Sequence, residues 1–590
     1  MREKTYQPTT WSLQDLYPSA DSPEFEASFQ ELETLVTEFE KVREILSDDI
    51  SVDEFMGAIY QIDKITRIGH KMYAYVQLWY TQDTQNEKAM ALMGRVDQFV
   101  TGLSNRSLFF TLWWKQVSDK TAQRLLDASG DYRYWLEQIR NFKDFTLSEP
   151  EEKIINLKDT TGFNTLNNIY DIITNRYTFK LTVDGEEKEY TRGELMVHAR
   201  STDPELRQAA YIELYRVYGN DSIILGQIYQ SIVRDWYNEN ITLRGIKAPI
   251  SVRNLRNDIP DEVIDTLLEV ARKNVDIFQR FFQLKAKTIG MDKLRRCDIY
   301  ASVGEADKEY EFDTAFHMVM DSFESFTPKF AQLARRVFAE DHIDAKVRKG
   351  KMGGAFCAST VPELTPWVLL NYNGKADDVA TMAHELGHAI HAMMAADHTV
   401  FTFHSCLPLA ETASTFGEMM LLDKMLAEEE DDAVRRDILF RQVDDNYATI
   451  MRQIYFALFE RTAHQMILDN ASVNELAAAY LENLNEMFGD AVDVTDEFKW
   501  EWISIPHIYG TPFYVYAYAF GQLLVLSLYQ QFKVEGEAFK PRYMDILATG
   551  GSKAPAQLLS EAGIDISDPA FWQGGFDAIN EMVAQLEQLA

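Results

Sequence analysis

The sequence predicts a mainly α-helical protein with a small β component, and three observations carry that prediction. Apolar residues recur at three- and four-residue spacing over long stretches, as in residues 55–80 and 89–117. Proline is scarce, 16 in 590 residues, so long helices are seldom interrupted. Two places carry the alternation or the clustering of β-formers that strands need.

The first of these is residues 177–191. Apolar and polar residues alternate from Tyr177 to Val183, an Asp184-Gly185 step follows, and residues 186–191 return, which is a hairpin signal. The second is residues 351–373. There Gly353-Gly354-Ala355-Phe356-Cys357 and Trp367-Val368-Leu369-Leu370-Asn371-Tyr372 are separated by Pro362 and Pro366. The hairpin marks a boundary: a helical N-terminal lobe over residues 1–200, then a longer helical domain over 201–590 with the small sheet inserted. No internal repeat stands out. The acidic run at residues 428–432 lies between helical stretches and reads as a solvated turn.

Composition narrows the class. Hydrophobic residues make up 46% and charged residues 25%, enough for a large core, and the length suggests two lobes or one composite domain. The net charge of -34 argues against a nucleic-acid partner, because phosphate would be repelled. It could attract cationic peptides, but solubility is the simpler account. Three cysteines, Cys297, Cys357 and Cys406, make no disulfide framework and fit a reducing compartment. Met1-Arg2-Glu3-Lys4 leads into polar sequence without the apolar core of a signal peptide. The most apolar windows, residues 108–114 and 521–529, are too short to span a bilayer. The expectation is a cytoplasmic protein with no membrane partner.

The chemistry concentrates in His384-Glu385-Leu386-Gly387-His388. Residues 377–391 read as a helix whose positive end suits Asp377 and Asp378 and has Gly374 just outside it. Four residues apart on a helix, His384 and His388 project to the same side and can share one tetrahedral zinc. Glu385 is one step round and can reach a water at the metal rather than the metal itself. The plain alternative is a pair of ordinary surface histidines beside a glutamate. A catalytic zinc also needs a third protein ligand and one open position. His391 is poorly placed, three residues after His388, and His398 and His404 stand in no helical register with the pair. The metzincin pattern is absent, since His391 and Met394 occupy its glycine and histidine places. Glu411 is the better candidate. It lies in an apolar, helix-like stretch opened by Pro408 and running to Leu426, on one face with Glu418. Carboxylates on such a face are costly unless paired or metal-bound. Glu411 therefore reads as the third ligand and Glu418 as the acceptor that orients a ligand histidine; the alternative is that both are simply exposed.

A third cluster lies at residues 505–518, with His507, Tyr509, Tyr514, Tyr516 and Tyr518. Amide hydrolysis develops negative charge on the carbonyl oxygen, and neutral phenol or imidazole donors stabilise it. Tyr514 and Tyr518 are four apart and can share a helix face. Aromatic core packing is the commoner use of tyrosine.

These residues resemble the thimet-oligopeptidase superfamily of zinc metallopeptidases, and within it the oligoendopeptidase F branch. The resemblance rests on Ala383 to His391, on Glu411-Thr412-Ala413-Ser414-Thr415-Phe416-Gly417-Glu418, and on His507-Ile508-Tyr509 with Pro512-Phe513-Tyr514-Val515-Tyr516. Gly353 to Cys357 and the opening Trp11-Ser12-Leu13-Gln14-Asp15-Leu16-Tyr17 extend it over nearly the whole chain. It implies a two-lobed helical clamshell with a deep channel. It implies one zinc per chain on His384, His388 and Glu411, with Glu385 as base. It also implies that His507 and tyrosines of the C-terminal part face the substrate: Tyr518 matches the family's tyrosine near the start of the following helix, and Tyr514 and Tyr516 match less closely. The Gly353-Gly354-Ala355 segment resembles the edge that pairs with a peptide backbone by β-augmentation, and its glycines permit close approach. The reaction so implied is hydrolysis of internal bonds of short peptides by a zinc-activated water. A non-catalytic peptide-binding protein, a metallo-exopeptidase and a helical interaction protein are the rival readings.

Overall fold

The computed structural model describes residues 5–303 and 308–589. Residues 1–4, read above for the lack of a leader, lie outside the described residues. The protein is mainly helical, as the apolar periodicity predicts. The stretch around residues 55–80 is the helix Val52–Gln82, and that around 89–117 is the helix Glu87–Gln116. Ser51 and Glu54 form a reciprocal capping box at the start of the former, and the Asn86 side chain accepts from the first amides of the latter. The acidic run spans the junction of the helices Thr412–Glu428 and Asp432–Asn446, with residues 429–431 between them. Among the described residues no helix is long and apolar enough to cross a membrane.

The chain divides into two compact units, each assembled from three segments. One comprises Met1–Asp144, Lys308–Glu428 and Gln531–Ile564; the other comprises Phe145–Asp307, Glu429–Gln530 and Asp565–Ala590. This partition differs from the boundary expected near residue 200: residues up to 144 fall in the first unit, while the hairpin falls in the second. The difference has a physical cause. Periodicity along a chain reports which face of each helix is buried, but not which distant helix buries it.

In the first unit, a three-stranded sheet sits directly before the histidine motif in sequence. Trp367–Leu369 is central, parallel to Ile343–Asp344 and antiparallel to Phe356–Ala358. Trp367 and Leu369 are fully buried with Trp11, Leu16 and Tyr17, and the Trp367 indole donates to the Ser12 carbonyl at 2.8 Å. The N-terminal aromatic segment thereby anchors the central strand. Phe356–Ala358 is an edge strand, paired on one side.

In the second unit, the hairpin pairs Phe179–Val183 with Glu186–Tyr190. Its two turn residues, Asp184 and Gly185, both have positive φ, 54° and 82°, as a two-residue turn matched to strand twist requires. Apart from a short parallel pairing of Leu294–Arg295 with Val492–Asp493, the remaining regular elements described in this unit are helical. They include Ser251–Asn257, Arg452–Leu468, Pro506–Gly510 and the start of Tyr516–Glu535.

Candidate active site

The motif lies on the helix Ala376–Met394. The Asp378 carboxylate closes its N-terminus, accepting from the amides of Lys375 and Asn373 at 2.9 Å each. Gly374 precedes it with φ of 87°. The motif helix packs on Thr412–Glu428, and a glycine on each side sets how closely. A Cβ on Gly387 would lie 2.6 Å from both the Ala413 carbonyl oxygen and the Ser414 Cα. A Cβ on Gly417 would lie 3.3 Å from the Ala383 carbonyl oxygen. No side chain larger than hydrogen fits at Gly387 without shifting one backbone against the other.

That approach brings three donor atoms together. His384 Nε2 lies 3.1 Å from His388 Nε2. Glu411 Oε2 lies 3.3 Å from the first and 3.4 Å from the second. Zinc bonds of about 2.0–2.2 Å at tetrahedral angles place neighbouring ligand atoms roughly 3.3–3.5 Å apart, so the donor triangle fits that ion closely. Its chemistry agrees. His384 Nδ1 donates to Glu418 Oε1 at 2.5 Å, which leaves the Nε2 lone pair facing the other two donors. Lone pairs and a carboxylate converging this tightly are relieved by a cation or a shared proton. Ser414 Oγ donates to Glu411 Oε2 at 2.7 Å and fixes the carboxylate. Ser414 was not singled out from sequence, because nothing but its neighbour Glu411 marks it.

Glu411 differs from expectation in one respect. It is not inside a continuous helix with Glu418. It stands at the break between Leu407–Ala410 and Thr412–Glu428, with its carbonyl accepting from the Thr415 amide at 3.2 Å. The two carboxylates therefore reach opposite nitrogens of His384 rather than lining one face.

Charge follows this geometry. Burial pulls the His384 imidazole down, but the Glu418 hydrogen bond and the charges of Glu418, Glu411 and Glu385 outweigh it and hold it at about 9. Burial and the charge of His384 press His388 down to about 4, against the pull of Glu411. Glu385 is 6% exposed, and burial, with the nearby carboxylates, pushes it up to about 7 against the attraction of His384. A carboxyl in that range is suited to take and return a proton near neutral pH.

The other histidines separate cleanly. His398 is held by Asp131 at 2.7 Å and by the Ala548 carbonyl at 2.9 Å. His391 is buried and pressed down to about 4 by desolvation. It lines a cavity of about 370 Å3 that opens beside Glu385, with Phe356, Cys357, Phe403 and His404 among its walls. Neither His391 nor His404 belongs to the donor triangle. One further group among the described residues, Asp15, Glu340 and His342, also clusters. There Glu340 pairs with Arg336 at 3.3 Å and Asp15 with His342 at 3.2 Å.

Gly353, Gly354 and Ala355 are not strand. Gly353 and Gly354 form a bend, with Gly354 at φ of 77°, and pairing begins at Phe356. The positive φ takes the chain out of the extended region, which β-former clustering does not register.

In the second unit, His507 on Pro506–Gly510 gathers with Tyr514 and Tyr518. The ring centroids of Tyr514 and Tyr518 are 5.2 Å apart, and those of His507 lie 6.5 and 6.2 Å from them. Tyr518 is 38% exposed. Tyr509 and Tyr516 are fully buried instead: Tyr509 stacks on Tyr170 at 4.0 Å, and the Tyr516 hydroxyl accepts from Asn257 at 2.9 Å. The aromatic cluster thus divides into two core tyrosines and two that stay with the histidine.

The helical body thus presents a His-Glu-x-x-His helix to a glutamate-bearing neighbour. The family model for peptidase family M3 matches residues 197–578, and that for oligopeptidase F matches residues 113–179. The chain is 25% identical to oligopeptidase PepF of Bacillus subtilis (strain 168), over 98% of this chain and 87% of that one. It is 27% identical to group B oligopeptidase PepB of Streptococcus agalactiae, over 89% and 88%. Among solved structures, the oligoendopeptidase-F of Enterococcus faecium aligns with a TM-score of 0.73 at 23% identity, covering 96% of this chain and 98% of that one. A chain from Chlamydophila abortus aligns with a TM-score of 0.89 at 23% identity, covering 98% of each. The protein belongs to peptidase family M3, in its oligoendopeptidase F branch.

Proposed function

We propose that the protein is a zinc-dependent oligoendopeptidase, cutting internal bonds of short peptides with one zinc per chain on His384, His388 and Glu411. The observation that carries this reading is the donor triangle, with sides of 3.1, 3.3 and 3.4 Å. Zinc held there supplies Lewis acidity, lowering the pKa of water and polarising the scissile carbonyl. Glu385 takes the proton of the attacking water and passes it to the leaving amine. Glu418 keeps His384 in the tautomer that leaves Nε2 free, and Ser414 holds the Glu411 carboxylate in place. His507 and Tyr518, with Tyr514, are the donors proposed for the developing oxyanion.

Substrate is taken as an extended strand. The unpaired edge of Phe356–Ala358, entered through the Gly353-Gly354-Ala355 segment, offers main-chain hydrogen bonds to a peptide of any sequence. The partners so proposed are short peptides, without nucleic acid or membrane, in the cytoplasm. Residues 201–590, the proposed catalytic domain, contain every residue assigned a role here.

The test is zinc content and cleavage of a quenched-fluorescent peptide by wild type beside Glu385→Gln, with mass spectrometry of the products. The expected result is about one zinc per chain in both proteins, as this motif class implies, with internal cleavage by wild type alone. A peptide of about ten residues should be cut while a folded protein containing the same segment survives, as strand-like binding requires. Substantial turnover by Glu385→Gln would overturn the base assignment. Zinc without cleavage would leave a binding module, and stepwise loss of terminal residues an exopeptidase.

A further inference from the structure

The turn that leads into Tyr514 is strained, and two residues from elsewhere in the second unit hold it. Phe513 has φ of 57°, the left-handed region, which a bulky side chain adopts only under strain. Its ring is 1% exposed and packs against the His464 ring at 4.6 Å. The peptide unit between Pro512 and Phe513 is gripped at both ends. Its N–H donates to Glu460 Oε1 at 2.8 Å, and its carbonyl accepts from Arg253 Nε at 3.4 Å. Glu460 comes from Arg452–Leu468 and Arg253 from Ser251–Asn257, so the clamp is tertiary rather than local.

Glu460 is an unusual choice for a purely structural peg. It is 0% exposed, and its second oxygen has no hydrogen-bond partner among the described residues. Burial pushes its carboxyl up to about 8, against the Phe513 hydrogen bond and the charge of Arg253. An apolar residue of that volume would fill the space without the desolvation cost. What it could not do is hold a backbone N–H. Arg253 has a second contact: its guanidinium carbon stands 5.9 Å from the centre of the Tyr514 ring. The clamped peptide is followed directly by Tyr514, and Tyr518 and His507 surround that ring.

Resting on the assignment of His507, Tyr514 and Tyr518 as oxyanion donors, we propose that Glu460 and Arg253 clamp the Pro512–Phe513 peptide and thereby set the positions of those donors. Glu460 is then a positioning residue that acts through the turn without touching substrate. Released from the carboxyl, Phe513 returns to negative φ and Tyr514 swings away from His507. Substrate binding through other residues is unaffected, so the loss falls on kcat rather than KM.

The test compares Glu460→Met, which keeps the volume and loses the acceptor, with Glu460→Gln, which keeps both. Turnover of the quenched-fluorescent peptide, zinc content and Tm are measured for each, alone and in a Tyr514→Phe/Tyr518→Phe background. Glu460→Met should lower kcat about tenfold or more, with KM within about twofold and zinc unchanged, and Glu460→Gln should restore most of that loss. In the double-tyrosine background the Glu460→Met penalty should shrink below about threefold, because coupled residues are not additive. Wild-type kcat in Glu460→Met, or a penalty that persists in full in that background, would overturn the clamp. Should Glu460→Met not accumulate as folded protein, Arg253→Met reads the other end of the same peptide, with the same kcat-selective loss expected and wild-type kcat the overturning result. The donor assignment fails separately and visibly: His507→Ala and the tyrosine variants would then turn over normally by themselves, and the clamp would lose its catalytic meaning with it.

Discussion

Zinc affinity of the metal-free protein should rise about tenfold per pH unit between pH 7 and 9 and level off above, because one proton must leave before the metal enters. The proton is that of His384. Burial opposes it, but the hydrogen bond to Glu418 and the charges of Glu418, Glu411 and Glu385 hold it at about 9. Nδ1 already donates to Glu418, so the proton that zinc displaces is on Nε2. At pH 7 the group sits two units below its midpoint, and at about 1.36 kcal/mol per unit the competition costs about 2.7 kcal/mol, a hundredfold in affinity. A ligand histidine with an ordinary value near 6.5 would show almost no penalty at pH 7. The same proton acts on folding. The folded value lies above the unfolded one, so its stabilisation of the metal-free protein is full below about 6.5 and lost as pH rises through about 9. Competition against a chromophoric chelator from pH 6.5 to 9.5 at fixed ionic strength reads the slope. Glu418→Gln keeps an acceptor for Nδ1 but removes the charge. Its slope should flatten above pH 7, and its affinity at pH 9 should fall about 10–100-fold. A flat wild-type profile between pH 7 and 9, or an unchanged slope in Glu418→Gln, would refute the reasoning.

Two further outcomes are expected. Gly387→Ala places a methyl 2.6 Å from the Ala413 carbonyl oxygen and the Ser414 Cα. Overpacking against backbone should cost about 1–3 kcal/mol, and the displaced helix should carry Glu411 out of range, so Tm and zinc content fall together; a normal zinc content would show that the helices have room to spare. Tyr518→Phe should lower kcat more than it raises KM, measured by steady-state kinetics on the same peptide; a pure KM effect would make Tyr518 a substrate-binding group instead.

Much of this architecture was legible because it is written in short-range spacing. The i, i+4 relation of His384 and His388 needs nothing but a helix, and the helix is announced by its own periodicity and by Asp378 at its start. The hairpin was legible for the same reason, since Asp184-Gly185 dictates its own turn. What was not legible depends on distant parts of the chain. The two compact units interleave three segments each, and no local pattern reports that. Helical periodicity carried the stretch around Glu418 back through Glu411, whereas a break after Ala410 turns the Glu411 carboxylate to the other nitrogen of His384. Gly353 and Gly354 resemble strand residues only while their neighbours are considered; the positive φ at Gly354 makes a bend, and the edge strand starts at Phe356. The division of the tyrosines was open as well. Tyr509 and Tyr516 are as aromatic as Tyr514 and Tyr518, and burial alone separates them.

The motif holds more than its two histidines and its glutamate. In His384-Glu385-Leu386-Gly387-His388 the third and fourth residues read as spacers, required only to keep the histidines one turn apart. Leu386 is fully buried and helps fix the helix rotation that aims both imidazoles outward. Gly387 fixes the other coordinate, the distance to the neighbouring helix. Both Glu411 and Glu418 belong to that neighbour or to its first turn, and each bonds a different nitrogen of one imidazole ring. Moving the helices apart by the width of a methyl would lengthen both contacts at once. It would free the Nδ1 proton of His384 and remove the third donor together. The donor triangle therefore depends on the close approach that Gly387 and Gly417 allow, and the zinc affinity of Gly387→Ala tests the tighter of the two.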